Sequence, residues 1–302
     1  MAALHKKIKN RGKKSDTSIS FNKQLMNNDI YRTDSISFQS YGVKIEIRAD
    51  EPELLRDVYT KLGRVFPNGL EPAIESEIEY RFYIKSLESV KYELFRNEEK
   101  LCEDGGKELF LNMVESQLRI TVAEFAVEKV FLHAGVVGWK GRAIVIPATS
   151  FSGKTTLVAE LVKKGALYYS DEYAVLNALG NVEPFPKWLS MRGITDAINQ
   201  KDCSVESLGG TAGTKPLPVG MVLIARYQSG KKIPRRWKPK RLTQGEAIME
   251  IIPHTLPIRN KPKFVLEVLN KLTDRAIIVR TIRGEAAEFA ETLLGYFESE
   301  IK

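Results

Sequence analysis

The sequence predicts a mixed α/β fold with a phosphate-binding strand–loop–helix, and three adjoining stretches carry that prediction. Arg142-Ala-Ile-Val-Ile146 is an apolar run of strand length. Pro147-Ala-Thr-Ser-Phe-Ser-Gly-Lys-Thr-Thr156 continues with small residues and a Gly-Lys-Thr. Leu157-Val-Ala-Glu-Leu-Val-Lys-Lys164 then has the period of an amphipathic helix and stops at Gly165. Strand, small-residue turn and helix in this order are the context in which a Walker A, or P-loop, match is credible, rather than a chance Gly-Lys-Thr. Small residues let backbone N–H groups close around an anion at the positive end of a helix. Lys154 is placed to reach β- and γ-phosphates, and the Thr155 hydroxyl to ligate Mg²⁺. Ser150, Ser152, Gly153, Lys154, Thr155 and Thr156 are the expected nucleotide contacts. One position departs from the pattern: the first glycine, five residues before Gly153, is Ala148. Alanine tolerates left-handed backbone poorly, so the loop is expected to start along a different path.

The other elements follow in chain order. Residues 1–35 form a Ser/Asn/Lys-rich stretch without hydrophobic period, expected to be a disordered basic tail. Residues 36–104 read as a small N-terminal α/β unit. Its strands alternate in Ser35–Ile47, Glu77–Ile84 and Lys91–Arg96, and a helix begins at Glu51-Pro-Glu and ends near Pro67-Asn-Gly. The larger domain spans residues 105–302. It is expected to open with a helix from Lys107 to Val130, followed by a strand over Phe131–Gly138 and a turn at Trp139-Lys-Gly-Arg142. Beyond the phosphate loop come strands at Tyr168–Leu176 and Val219–Ala225, and helices at Gly245–Ile252 and Pro262–Leu272. A strand at Ala276–Thr281 and a helix from Gly284 to Phe297 close the domain. No internal repeat is visible.

Bulk properties narrow the class. The chain has 302 residues, 43% apolar and 28% charged, which suits one large or two modest globular domains. No apolar run approaches the roughly 18–20 residues that span a bilayer. The basic N-terminus lacks a following apolar segment, so no secretory signal is expected. Cys102 and Cys203 fit no metal spacing and no disulfide framework, as in two ordinary thiols of a reducing cytoplasm. The net charge of +8 is concentrated at the start, where residues 1–40 hold eight Lys/Arg against three Asp. The tail reads as solvated rather than as a nucleic-acid arm. A second basic cluster, Lys231–Arg241, interleaves prolines with cations and reads as an exposed loop that could meet phosphate or an acidic partner.

Two further features stand near the loop in sequence. Asp171-Glu172 falls seventeen residues after Lys154, at the end of the helix-then-strand passage, which predicts a neighbouring strand facing the same crevice. Carboxylates there can hold Mg²⁺ or accept a proton from an attacking hydroxyl. His133 lies just before the turn into the phosphate strand; a lone histidine is usually structural, and position is what singles this one out.

Leu132-His-Ala-Gly-Val-Val137, Lys140-Gly-Arg-Ala-Ile-Val-Ile-Pro147, the phosphate loop and Ser170-Asp-Glu-Tyr-Ala-Val-Leu176 together resemble the catalytic domain of the HPr kinase/phosphorylase family. That family shares its P-loop core with ATP-dependent phosphoenolpyruvate carboxykinase. The resemblance covers about residues 105–295 and extends weakly to Pro186–Arg192 and Lys215–Gly220. It implies an α/β P-loop core of the HPr kinase/phosphoenolpyruvate carboxykinase type, using ATP and Mg²⁺. Asp171 matches the family's base toward a serine hydroxyl. Glu172 takes the place of the second aspartate and, with Thr155, is the expected metal ligand, although the division of base and metal roles between the two acids stays open. His133 matches the family histidine near the transferred phosphate, and Arg192 an arginine facing the developing negative charge. The relatives form hexamers, so a homo-oligomer is implied.

Three readings result. The first is an ATP-dependent kinase that moves the γ-phosphate to a hydroxyl, a serine of a protein, a peptide or the free amino acid. The second is a non-catalytic ATP-binding regulatory or assembly protein. The third is ATP hydrolysis or reverse phosphorolysis.

Overall fold

A computed structural model describes residues 30–32, 34–67, 69–87, 91–149, 152–234 apart from 193–199, and 236–301, with residues 191, 192, 200 and 201 described by backbone alone. The expected disordered tail falls almost wholly on residues 1–29, outside the described residues. The architecture is mixed α/β. The chain divides into two compact units, the first comprising residues up to 39, 44–63 and 70–113, and the second 40–43, 64–69 and 114–302.

The first unit is a six-stranded sheet with a helix in its main crossover. Its strands are β1 (Ile36–Ser40), β2 (Val43–Ala49), β3 (Glu71–Pro72), β4 (Tyr80–Leu87), β5 (Lys91–Arg96) and β6 (Glu99–Asp104), ordered β3-β1-β2-β4-β5-β6. β2 and β4 are parallel, and the crossover between them holds helix α1 (Pro52–Val65). Proline at the first helical position and Glu53 in the first turn suit a helix start. Leu54, Leu55, Val58 and Leu62 are buried, as are Ile45, Ile47, Phe82 and Ile84 of the sheet. Alternation along β4 buries Phe82 and Ile84 and exposes Arg81, Tyr83 and Lys85.

Helix α2 (Lys107–Phe125) stops four residues before the next strand. The expected helix to Val130 is therefore too long. Apolar periodicity continues through 130, but Lys129 and Val130 pair with Asn177 and Leu176, and Glu128 turns the chain at φ 55°. Sheet pairing overrides the helical pattern.

In the second unit β7 (Lys129–Trp139) is the longest described strand. It turns into β8 (Arg142–Pro147) through Lys140 and Gly141, both at positive φ, which is the two-residue hairpin geometry that matches strand twist. After β8 come helix α3 (Lys154–Lys163), β9 (Leu167–Ser170), β10 (Tyr173–Asn177) and β11 (Val182–Glu183). A separate hairpin, β12 (Leu189–Arg192) with β13 (Gln200–Cys203), leads to β14 (Val219–Tyr227) and β15 (Lys240–Arg241). Helices α4 (Gln244–Ile251) and α5 (Pro262–Arg275), strand β16 (Ile277–Arg283) and helix α6 (Ala286–Glu300) complete the unit. The sheet order is β11-β10-β7-β8-β14-β16-β15, with β9 also paired to β7.

Alternation in these strands feeds two cores. Ile144, Ile146, Met221, Leu223 and Val279 pack with Leu157, Leu161, Phe289 and Leu293 of α3 and α6. Ala143, Val145 and Val222 pack with Ala247, Ile251, Val265 and Leu269 of α4 and α5. Helices thus cover both faces of the sheet, a three-layer arrangement. β8, β14 and β16 run parallel, so their C-terminal ends emerge at one end of the sheet.

Two expectations are refined. The single strand over Tyr168–Leu176 is broken into β9 and β10 at Asp171 and Glu172, because the Ser170 hydroxyl oxygen accepts hydrogen bonds from the N–H groups of Glu172 (3.1 Å) and Tyr173 (2.9 Å). The acidic pair is also not in the strand next to the phosphate strand: β7 lies between, antiparallel to β8, β9 and β10 alike. Residues Lys231–Arg241 include exposed cations, as expected, but Trp237 is anchored by edge contacts with Phe289 and Tyr296 and a hydrogen bond to Thr281. No described helix is long and apolar enough to cross a membrane.

Candidate functional site

One residue of β7 joins the two halves of the site. Ala134 stands opposite Pro147, the last residue of β8 before the loop into α3. The Ala134 N–H donates to the Glu172 carbonyl at 3.1 Å, and the Ala148 N–H donates to the His133 carbonyl at 3.4 Å. Strand register thereby gathers His133, the loop and the acidic pair.

Gly153 caps α3 in the left-handed region, at φ 75° and ψ 20°. Among the described residues no side chain caps the helix, which leaves its first N–H groups open to a ligand. Lys154 is the first residue of α3 and is only 7% exposed. Its Nζ lies 3.5 Å from the Ala148 carbonyl and, among the described residues, forms no ion pair. Burial lowers its ammonium pKa to about 8, against the pull of Asp171 and Glu172. Thr155 is half-buried and Thr156 exposed. The Ser152 hydroxyl is buried without a hydrogen-bond partner among the described residues. Ser150 lies outside the described residues.

β7 makes room for the lysine. A Cβ at Gly135 would come within 2.6 Å of Val158 Cγ2 and 3.0 Å of Lys154 Cγ. Gly135→Ala is expected to cost about 1–3 kcal/mol, read as a melting temperature a few degrees lower, and to displace Lys154. An unchanged melting temperature and unchanged anion binding would refute that close fit.

The two acids differ sharply in surroundings. Asp171 is 5% exposed; Ser190 N–H donates to its Oδ2 at 3.3 Å, and the Tyr168 hydroxyl lies 3.2 Å from its Oδ1. Burial pushes its carboxyl pKa up, with Lys187 opposing. Glu172 is clamped between cations: Arg119 Nε is 3.0 Å from Oε1 and Lys187 Nζ 3.0 Å from Oε2. Burial alone would raise it, but Arg119 and Lys187 prevail and hold it at about 2. Both oxygens of Glu172 are thus paired with cations, and a Mg²⁺ there would be a third positive group around one carboxylate.

His133 pairs in register with Tyr173, ring centroids 6.3 Å apart. Burial, then the Lys154 charge, pushes its imidazole down to about 4, so it is neutral at pH 7. Arg192 ends β12 opposite Gln200 and is described by its backbone alone.

No family model matches the chain, and no curated protein matches it.

Several residues of the site carried no sequence signal of their own. Arg119 comes from α2, and Lys187 from the segment before β12. His254 follows α4, where Thr255 bridges Leu132; burial and then Lys154 lower its pKa. Arg283 ends β16 and donates to the Ser152 and Gly153 carbonyls. The available sign was topological: a C-terminal strand end in a parallel set is where such residues collect.

Proposed function

We propose that the protein is an ATP-dependent kinase with a P-loop core of the HPr kinase/phosphoenolpyruvate carboxykinase type, transferring the γ-phosphate to a hydroxyl such as that of serine. The observation that carries this reading is Lys154: a buried ammonium without an ion pair among the described residues, at an uncapped helix start that follows a left-handed glycine. A buried cation in that setting calls for an anion, and a phosphate chain supplies one where the free N–H groups of α3 converge. Ser152 offers an unsatisfied hydroxyl to the same ligand.

In this mechanism the acceptor O–H gives its proton to Asp171 as the oxygen attacks the γ-phosphorus. The bond from that phosphorus to the bridging oxygen breaks, and ADP leaves. A raised carboxylate pKa improves the match between base and reaction. Glu172, fixed by Arg119 and Lys187, holds the turn that presents Asp171, and neutral His133 can donate a hydrogen bond to a phosphate oxygen. No group of three or more His, Cys, Asp or Glu among the described residues is placed to hold a metal ion. Thr155, half-buried in the first turn of α3, would be the protein ligand of a Mg²⁺ brought with the nucleotide. Bound there, Mg²⁺ offsets charge on the phosphate oxygens.

Calorimetry with Mg-ATP tests the reading. Wild type is expected to bind, and Lys154→Ala to lose about tenfold or more in affinity. Absence of binding in wild type, or equal binding in both, would remove the nucleotide site. Tight binding without transfer to any hydroxyl, in a screen with labelled ATP, would make the protein a nucleotide-binding regulator instead.

A further inference from the structure

Arg283 is 3% exposed and has no carboxylate ion pair among the described residues. Its guanidinium is instead spent on main-chain oxygens. Nη2 donates to the carbonyls of Gly153 (2.9 Å) and Ser152 (3.3 Å), and Nη1 to that of Gly284 (2.9 Å). The guanidinium carbon sits 5.2 Å from the centre of the Tyr227 ring. Burying a guanidinium without a counter-ion is costly, and carbonyl hydrogen bonds offset the cost only in part.

Three features of the fold bring it there. β16 is parallel to β14 and β14 to β8, so Arg283 emerges beside the phosphate loop, level with Tyr227. The Gln228 N–H donates to the Arg283 carbonyl at 2.9 Å, and the chain then passes so close to Lys231 that a Cβ at Gly284 would meet its carbonyl oxygen at 1.8 Å. Gly153 is constrained twice: its φ is left-handed, and a Cβ there would lie 2.7 Å from Arg283 Nη2.

We propose that Arg283 is a positioning residue of the phosphate loop, which holds the Ser152 and Gly153 carbonyls on its own side so that the Gly153 and Lys154 N–H groups face the anion. The reasoning is planar geometry. In a trans peptide the C=O and the following N–H point in opposite directions. Nη2 anchors both consecutive carbonyls, that of Gly153 together with the helical Leu157 N–H at 3.1 Å and that of Ser152 by itself, and so aims the two next N–H groups the other way. The anion itself rests on the nucleotide reading above; the orientation of the peptides does not.

The test uses Arg283→Ala and Arg283→Lys in the full chain, with two measurements. In ligand-free protein, residual dipolar couplings of the Gly153 and Lys154 amides report the peptide planes, and both variants are expected to change them. With Mg-ATP, calorimetry is expected to show affinity falling about tenfold in Arg283→Ala, and millimolar guanidinium ion to restore part of the loss, which a general loss of packing would not allow. Lysine has no planar fork, so Arg283→Lys is expected to remain folded and still bind weakly. Unchanged couplings in the folded Lys variant overturn the proposal, as does wild-type affinity in either variant. Should wild type itself fail to bind Mg-ATP, the nucleotide reading falls, and the couplings alone decide the role of Arg283.

Discussion

Asp171→Asn is expected to slow phosphoryl transfer by about 10²–10⁴-fold, the usual contribution of a positioned general base, while Mg-ATP affinity changes by less than about threefold. The amide keeps the volume of the carboxylate, and its oxygen can still accept from Ser190 N–H. What it loses is the ability to take a proton. Of the two acids, Asp171 is the one with no cation within ion-pair distance among the described residues, and burial raises its pKa. Steady-state kinetics with labelled ATP and the acceptor found by screening would measure the effect. Equal turnover in the variant would exclude Asp171 as the base, and a collapse of nucleotide binding would make it part of the ATP site.

The second large effect concerns stability. Glu172→Gln takes from the part-buried Arg119 and Lys187 the carboxylate they share and leaves Arg119 with Glu115 at 3.8 Å. Removing one partner of such a part-buried network is expected to cost about 3 kcal/mol, the low end of the range for buried pairs, and the midpoint of urea unfolding should fall accordingly. The pH dependence has a definite sign. The folded carboxyl titrates at about 2, below its ordinary 4.5, so its stabilisation is complete above 4.5 and is lost as pH falls from 4.5 to about 2. That difference corresponds to about 3 kcal/mol. The Gln variant should lack this part of the acid sensitivity. A variant that unfolds at the wild-type urea concentration, with the wild-type acid profile, would show that the clamp contributes nothing.

The features legible in the sequence were the local ones. Strand β8, the loop and α3 occupy consecutive residues, and their small residues, Gly153 and apolar periodicity read directly. The order of His133, the loop and Asp171-Glu172 was legible too, but not how they meet. The apolar residues of Tyr168–Leu176 look like one strand, and only Ser170, bonding its own backbone, breaks it. That break takes Asp171 and Glu172 out of the strand, although the Glu172 carbonyl still accepts from Ala134 N–H. The clamp on Glu172 was hidden for another reason. Arg119 is 53 residues away, on a helix face where an arginine looks solvated until the fold buries it. Lys187 stands in a segment whose only sequence signal is a weak resemblance. The helix read to Val130 erred because periodicity alone does not distinguish the end of an amphipathic helix from the start of a buried strand.

The hydrogen bond from Arg283 to Gly153 spans 130 residues of chain, and it sets a clock on synthesis. A nascent chain grows at about 5–20 residues per second, so roughly ten seconds separate the appearance of Gly153 from that of Arg283. Throughout that interval the loop exists without its clasp and without the β16 edge that delivers it. The Gly153 carbonyl is thus held by a part of the second unit far from it in sequence, and not by the loop's own neighbours alone.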